Sequence, residues 1–462
     1  MTDYNYDLLI IGSGPGGYVA AIRASQLGMK TAVIEKESPG GVCLNWGCIP
    51  SKSLISQAQK FTYLKDLVKM GVRIDASALD YEKVYKKSRL AATKLSKGVE
   101  FLLKKNSIEL IKGTAEISNK HEITVGKEKY TAGNILIATG SRPKVIPGLE
   151  FDEEGILSST GALSLKSLPK SILIVGAGAI GVEFAYILSS FGVQVHLVEM
   201  LDSILPMEDK DVSDVLLKAF KKNKVKVYTS TKASISDKQK NAYKIKLEHK
   251  DGEIEDVETE KILVAVGRTP NSENLGLEEL GIKTDKGFIE TGDYYETSVP
   301  GIYAIGDVIN TPFLAHVASK EGEIAVEHMA GKEDKKRIDP TLIPGAVYTE
   351  PQVASFGYTE VKAKEAGLPV KVFAFPYRGA GKAVAVEEPE GLVKFVCHEK
   401  TREILGAHIA GKNATELIHE VLLARKAELL PEDIATMIHA HPTLSEAVME
   451  AARGILEQAI HF

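Results

Sequence analysis

The chain has 462 residues, 44% hydrophobic and 26% charged, enough material for several buried cores in roughly two to four domains. Its formal net charge is −5, with no basic run and no interleaved aromatic residues, which argues against nucleic acid as a partner. No apolar stretch approaches the roughly 20 residues of a membrane helix, and the opening MTDYNYDLLIIG has neither a basic lead nor an apolar signal core, so no membrane partner and a reducing, cytoplasmic setting are expected.

The first predicted element is the apolar strand YDLLIIG, running into Gly12-Ser13-Gly14-Pro15-Gly16-Gly17 and then a helix over YVAAIRASQLG. A second strand, TAVIEK, carries Glu35, 23 positions after Gly12. Strand, glycines, helix, strand and acid form the dinucleotide fingerprint. Glycine lets backbone approach a pyrophosphate at the helix N-terminus, and the acid takes ribose hydroxyls.

Next comes GGVCLNWGCIPSK, Gly40 to Lys52, which holds two of the three cysteines of the chain, Cys43 and Cys48, while Cys397 lies far away. Three readings compete: a structural disulfide, half of a metal site, or a redox pair. A reducing compartment disfavours the first. A metal wants three or four ligands, and no second close Cys/His cluster accompanies the pair. A redox pair needs a base, because only the thiolate attacks or leaves.

The strand ILIATGSRP at 135–143, with Gly140, closes the first unit, and the fingerprint then repeats. SILIVGAGAIG supplies Gly176, Gly178 and Gly181, a helix follows, and VQVHLVE ends on Glu199, again 23 positions after the first glycine. ILVAVGRTPN at 262–271, with Gly267, echoes the closing strand. Two nucleotide folds imply two cofactors. No arginine lies between Gly181 and Arg268, so the second site should prefer free ribose hydroxyls, NAD over NADP. TSVPGIYAIGD, 297–307, reads as a strand ending on Asp307, with a helix over PFLAHVASKEGEIA after it; the carboxyl end of such a strand is a ligand position.

Beyond about residue 340 the pattern changes to alternating antiparallel strands, then two or three amphipathic helices, an α+β unit suited to assembly. Cys397 falls in one of those strands and reads as a small buried hydrophobe. HAHPTLSE, 439–446, holds two histidines and Glu446, with Thr443-x-x-Glu446 in capping-box spacing. A His held by a carboxylate is the base a dithiol requires.

GSGPGG, GGVCLNWGCIPSK, GAGAIGVE, AIGD and HAHPTLSE, in this order and nearly end to end, resemble the pyridine nucleotide–disulfide oxidoreductases. The resemblance implies an α/β fold with two Rossmann-like domains and a C-terminal α+β dimerisation domain. It divides the chain into an FAD-binding domain (1–147 and 272–340), an NAD-binding domain (148–271) and an interface domain (341–462). Cys43 and Cys48 would form the catalytic disulfide, with Cys43 meeting the dithiol substrate, Cys48 beside the flavin, and a distorted turn from Leu44 to Gly47 helped by Gly47. Lys52 would lie beside the flavin and pair with Glu183 near the nicotinamide. His441, oriented by Glu446, would be the base and would act across the subunit interface of a homodimer; His439 is secondary. FAD would be held by Gly12, Gly14, Gly17, Glu35, Lys52, Gly140, Asp307 and backbone near Ala315, with Ala115 as an adenine contact. NAD would be held by Gly176, Gly178, Gly181, Glu199 and Gly267.

The branch it most resembles oxidises dihydrolipoamide with NAD⁺. The lipoyl group would arrive on another protein, the acyltransferase core of a 2-oxoacid dehydrogenase complex or the carrier protein of glycine cleavage. Glutathione-type reductases would want arginines for NADP, mercuric reductase a C-terminal cysteine pair; the soluble transhydrogenase branch lacks the first cysteine, and the peroxidase and NADH oxidase branch lacks the paired cysteines and the terminal histidine. Trp46, where relatives have smaller residues, is a departure. A related NADH-dependent reductase of another small disulfide is the alternative enzyme. A non-catalytic nucleotide-binding scaffold would be expected to have lost one of Cys43, Cys48, His441 or Glu446, and all four are present.

Overall fold

The computed structural model describes residues 4–240, 242–332 and 336–462. Its first sheet runs 109–112, 31–35, 6–11, 128–137 and 302–304, all parallel, so a strand from residue 302 onward closes a sheet begun at Tyr6. Leu8, Leu9 and Ile10 at its centre are fully buried, as a parallel strand covered on both faces demands. The helix Pro15–Gln26 crosses Ala315–Met329 tightly: a Cβ on Gly322 would lie 2.8 Å from the carbonyl of Gly16.

The second sheet repeats the plan with strands 226–228, 194–198, 171–175, 261–264 and 156–157, again parallel. An antiparallel meander, 231–238, 243–249 and 254–259, interrupts it. The two closing motifs expected to echo one another are joined physically: Ser141–Pro143 pairs antiparallel with Arg268–Pro270.

Two features of the first unit lie outside the sequence expectations. Residues 48–105 form a long helical hairpin, Cys48–Lys69 and Tyr81–Lys105, and residues 115–125 form an antiparallel β-hairpin. The C-terminal unit is a five-stranded antiparallel sheet, in the order 345–347, 352–357, 404–411, 392–398 and 370–376, backed by helices Ala414–Lys426, Pro431–Thr436 and Ser445–Ile455. Cys397 is fully buried in that core. Among the described residues no helix is long and apolar enough to cross a membrane.

Candidate active site

The two glycine loops are built alike. Gly12 and Gly176 both have φ of +100°, and a Cβ there would lie 2.4 and 2.5 Å from the carbonyls of Ala138 and Ala265. A Cβ on Gly17 or Gly181 would lie 1.9 or 1.8 Å from the carbonyl of Gly12 or Gly176. Each acid is anchored the same way: Ser13 and Glu37 N–H donate to Glu35 at 2.9 and 2.8 Å, and Ala177 and Leu201 N–H donate to Glu199 at 2.8 and 3.0 Å.

Toward the other side the loops are open. A Cβ on Gly14, Gly178, Gly140 or Gly267 would meet nothing within 4 Å. The helices beginning after Gly14 and Gly178 have no side-chain N-cap, so their first N–H groups are free to receive an anion. A closed protein side, open space above it, uncapped donors and an acid at the rim fit a dinucleotide at each loop. Ala115 is buried on the strand Ala115–Asn119, two residues beyond Gly113, whose N–H donates to the carbonyl of Glu35. Ala315 opens the helix Ala315–Met329.

Cys43 lies in a short helix, Gly41–Trp46, and Cys48 begins the long helix Cys48–Lys69. Helix continues through Leu44–Trp46, so the distortion expected over Leu44–Gly47 is concentrated at Gly47 alone (φ −147°, ψ −111°). The short helix docks on the first glycine loop, where a Cβ on Gly41 would lie 2.7 Å from the Cα of Gly14. Both cysteines are free thiols, close enough to perturb one another's titration. The neighbouring Cys43 thiol, together with the nearby Lys52 ammonium, lowers the Cys48 pKa despite burial. The Cys48 thiol and burial push the Cys43 thiol up.

Lys52 is one turn beyond Cys48 on the same helix face. Its Nζ donates to both carboxylate oxygens of Glu183, at 2.9 and 3.0 Å. Glu183 is buried on the helix Ala179–Ser190 and also accepts the N–H of Tyr348 at 3.1 Å, while Lys52 Nζ lies 4.5 Å from the centre of the Tyr348 ring. All three units of the chain therefore meet at this ion pair.

Asp307 lies in a 3-10 turn, Gly306–Val308, three residues past the end of the strand Ile302–Ala304 rather than on the strand itself. Ser141 Oγ donates to it at 2.6 Å, and Arg268 Nε donates to Ser141 Oγ at 2.6 Å. Arg268 is half-buried, with its side chain 13% exposed; desolvation lowers its pKa, and it lies within electrostatic reach of Asp307 and Cys48. Ser141, Arg268 and Tyr348 were not picked out from sequence, although the first two sit in the echoed closing motifs.

His441 and Glu446 form a separate pair. His441 is 76% exposed at the side chain, and its Nδ1 lies 2.9 Å from Glu446 Oε1. Glu446 Oε2 accepts the Thr443 N–H at 2.9 Å; although burial opposes it, this bond and His441 hold the carboxyl below its ordinary value. The capping box is only half made, because Thr443 Oγ1 donates to the carbonyl of Ala440 instead of capping the helix. His439 is enclosed, its Nε2 2.8 Å from Glu420. The structure thus brings Cys43, Cys48, Lys52 and Glu183 together within one chain, and no hydrogen bond or ion pair among the described residues joins them to His441–Glu446.

The class is now defined: residues 6–322 match the model of the pyridine nucleotide-disulphide oxidoreductases and residues 343–452 match that family's dimerisation domain, so the chain belongs to this family. Relatives named dihydrolipoyl dehydrogenase span it almost completely. The one from Rhizobium etli is 43% identical over 97% of both chains, and a mitochondrial one from Arabidopsis thaliana is 41% identical over 98% of this chain and 91% of its own. Among solved structures, LpdA from Mycobacterium tuberculosis is 27% identical with a TM-score of 0.88, covering 97% of this chain and 99% of its own.

Proposed function

We propose that this protein is a dihydrolipoyl dehydrogenase, a homodimeric FAD enzyme that oxidises protein-bound dihydrolipoamide with NAD⁺. The observation that carries the reading is a cysteine pair across a single-residue helix break, beside the Lys52–Glu183 ion pair, in a chain that aligns end to end with relatives of that name. FAD and NAD⁺, when bound, supply the electron relay and the hydride acceptor. The FAD site draws on Gly12, Gly14, Gly17, Glu35, Lys52, Ala115, Gly140, Asp307 and Ala315, and the NAD site on Gly176, Gly178, Gly181, Glu199 and Gly267.

The chain's own residues perform the thiol chemistry. His441 Nε2 takes a proton from one substrate thiol, while Glu446 on Nδ1 fixes the ring. The substrate thiolate attacks Cys43 of the Cys43–Cys48 disulfide, a substrate–Cys43 bond forms, and Cys48 leaves as thiolate. Its low pKa makes it the better leaving group. The second substrate thiol then attacks the substrate sulfur of the mixed disulfide, its proton passing to Cys43 as that thiol leaves, which closes the lipoyl ring. Two electrons have moved from substrate to the cysteine pair. Lys52, neutralised by Glu183, holds a cation beside Cys48 without leaving it unpaired.

Within a chain no hydrogen bond or ion pair among the described residues joins the exposed His441–Glu446 pair to the cysteines, which accords with a site completed by the partner subunit. The domain division stated from sequence accompanies this reading. So does a reducing, cytoplasmic setting in which a dithiol can cycle, with a lipoyl-bearing acyltransferase core or glycine-cleavage carrier as partner. Mixing Cys43→Ser and His441→Gln chains tests it. A site shared between subunits restores one site in each hybrid dimer, roughly a quarter of full activity in a random mixture. A site within one chain restores none.

A further inference from the structure

The redox helix Gly41–Trp46 is held at both ends by one face of the helix Tyr81–Lys105. At its entry, Ser96 Oγ donates to the carbonyl of Pro39 at 2.8 Å. At its exit, Arg89 Nη1 donates to the carbonyl of Asn45 at 2.8 Å. Arg89 and Ser96 are two helical turns apart, about 10.5 Å along the axis, and the six-residue redox helix is about 9 Å long, so the two rungs match its ends. Asn45 contributes one of the last carbonyls of a helix, which lack internal partners and favour a cation.

Arg89 is an unusual way to make that bond. Its Nε and Nη2 are buried with no hydrogen-bond partner among the described residues. Its guanidinium lies 5.3 Å from the centre of the Trp46 ring and 6.0 Å from that of Tyr85, so aromatic faces stand where acceptors would otherwise be needed. Trp46, the departure noted in the sequence, is part of this clamp.

We propose that Arg89, with Ser96 at the other end, is a positioning residue that splints the Gly41–Trp46 helix so that the Cys43 and Cys48 sulfurs stay opposed across Gly47 throughout the exchange cycle. The inference rests on Cys43 and Cys48 being the exchanging pair. When substrate breaks their bond, the two sulfurs separate. With the short helix pinned at both ends, the movement is confined to Gly47 and the thiols remain within closing reach. An unpinned helix lowers the effective concentration of one thiol at the other, which favours the open dithiol.

The test is the dithiol–disulfide equilibrium of the FAD-loaded dimer in mixtures of reduced and oxidised dithiothreitol, read by alkylating free thiols and weighing the intact chain. In this exchange the dithiothreitol disulfide is reduced as the Cys43–Cys48 bond forms, and the reverse. Arg89→Met should shift the balance toward dithiol by about tenfold, ~30 mV for a two-electron couple. Ser96→Ala should shift it the same way by less, and Arg89→Lys, which keeps a cation able to reach Asn45, should fall between Arg89→Met and wild type. Arg89→Met and Ser96→Ala both within twofold of wild type would overturn the splint. Should Arg89→Met not retain FAD, Arg89→Lys and Ser96→Ala decide by the same criterion. A wild-type enzyme that never forms the bond in oxidised dithiothreitol would overturn the exchanging-pair reading itself, a different failure from an unshifted variant.

Discussion

Cys48 titrates under two opposed charges, and removing each should move it in opposite directions. The Lys52 ammonium favours the Cys48 thiolate and the Glu183 carboxylate disfavours it. Cys48 and Lys52 are four residues apart on one helix face, with Cβ atoms about 6 Å apart, taken as the scale of the charge separation. At an effective dielectric constant of about 20, that is ~2.8 kcal/mol, or about two pK units. Lys52 is a third exposed and already neutralised by Glu183 at 2.9 Å, so screening and the partner charge reduce the net effect to about one unit. Lys52→Met should therefore raise the Cys48 midpoint by about one unit, and Glu183→Gln, which leaves the cation unopposed, should lower it by about half a unit or more. The sign follows from the charged form: a lost cation makes the thiolate harder to form, a lost anion makes it easier. The assay is a pH titration of the long-wavelength absorbance that a thiolate gives beside oxidised flavin, in dithiol-reduced holoenzyme. Midpoints that move in the same direction, or not at all, would refute this electrostatic account of the site.

Replacing Cys43 or Cys48 with Ser should abolish lipoamide turnover and leave FAD bound; FAD release measured by gel filtration would instead mark a structural pair. His441→Gln should slow dithiol exchange far more than flavin reduction by NADH, as seen by stopped-flow absorbance, and equal slowing of both would remove His441 as the base. Glu199→Arg should erode the preference for NAD⁺ over NADP⁺ in kcat/KM, although the loss of its bonds to Ala177 and Leu201 will also weaken the loop. Lys394 is buried against Asp209 at 2.9 Å, tying the C-terminal sheet to the second nucleotide unit, so Lys394→Met should cost about 3–5 kcal/mol in unfolding experiments. Burial opposes it, but the Lys394 ammonium holds the Asp209 carboxyl below its ordinary value. That stability is present above the unfolded Asp pKa, near 4, and disappears as pH falls through the lower folded value, so the penalty of Lys394→Met should shrink in acid.

Much of the fold was legible because its signals are local. A strand, a glycine loop and a helix are written within 20 residues or so, and the acid at the next strand end completes the fingerprint. Hence Gly12, Gly17 and Glu35, and their counterparts Gly176, Gly181 and Glu199, fall in matching places in the two loops. The cysteine spacing forecast a break but not its narrowness: Leu44–Trp46 stay helical, and only Gly47 interrupts them. What the sequence concealed depends on tertiary contact. Tyr348 reaches Glu183 across 165 residues, and Arg268 reaches Ser141 across 127. The helix Tyr81–Lys105 has a regular apolar face, with Val84, Ala92, Val99 and Leu103 buried, yet nothing in that pattern says that it lies along the redox helix. The His441–Glu446 pair was visible as a motif, whereas the exposure of the His441 side chain appears only in the folded structure.

The most direct test of the central claim is a steady-state assay of the purified, FAD-loaded dimer with dihydrolipoamide and NAD⁺, run beside glutathione disulfide with NADPH. Rapid NADH formation in the first and silence in the second is the result predicted. Silence in the first, from dimeric protein that holds FAD, would contradict the assignment of dihydrolipoamide as substrate and leave only the family.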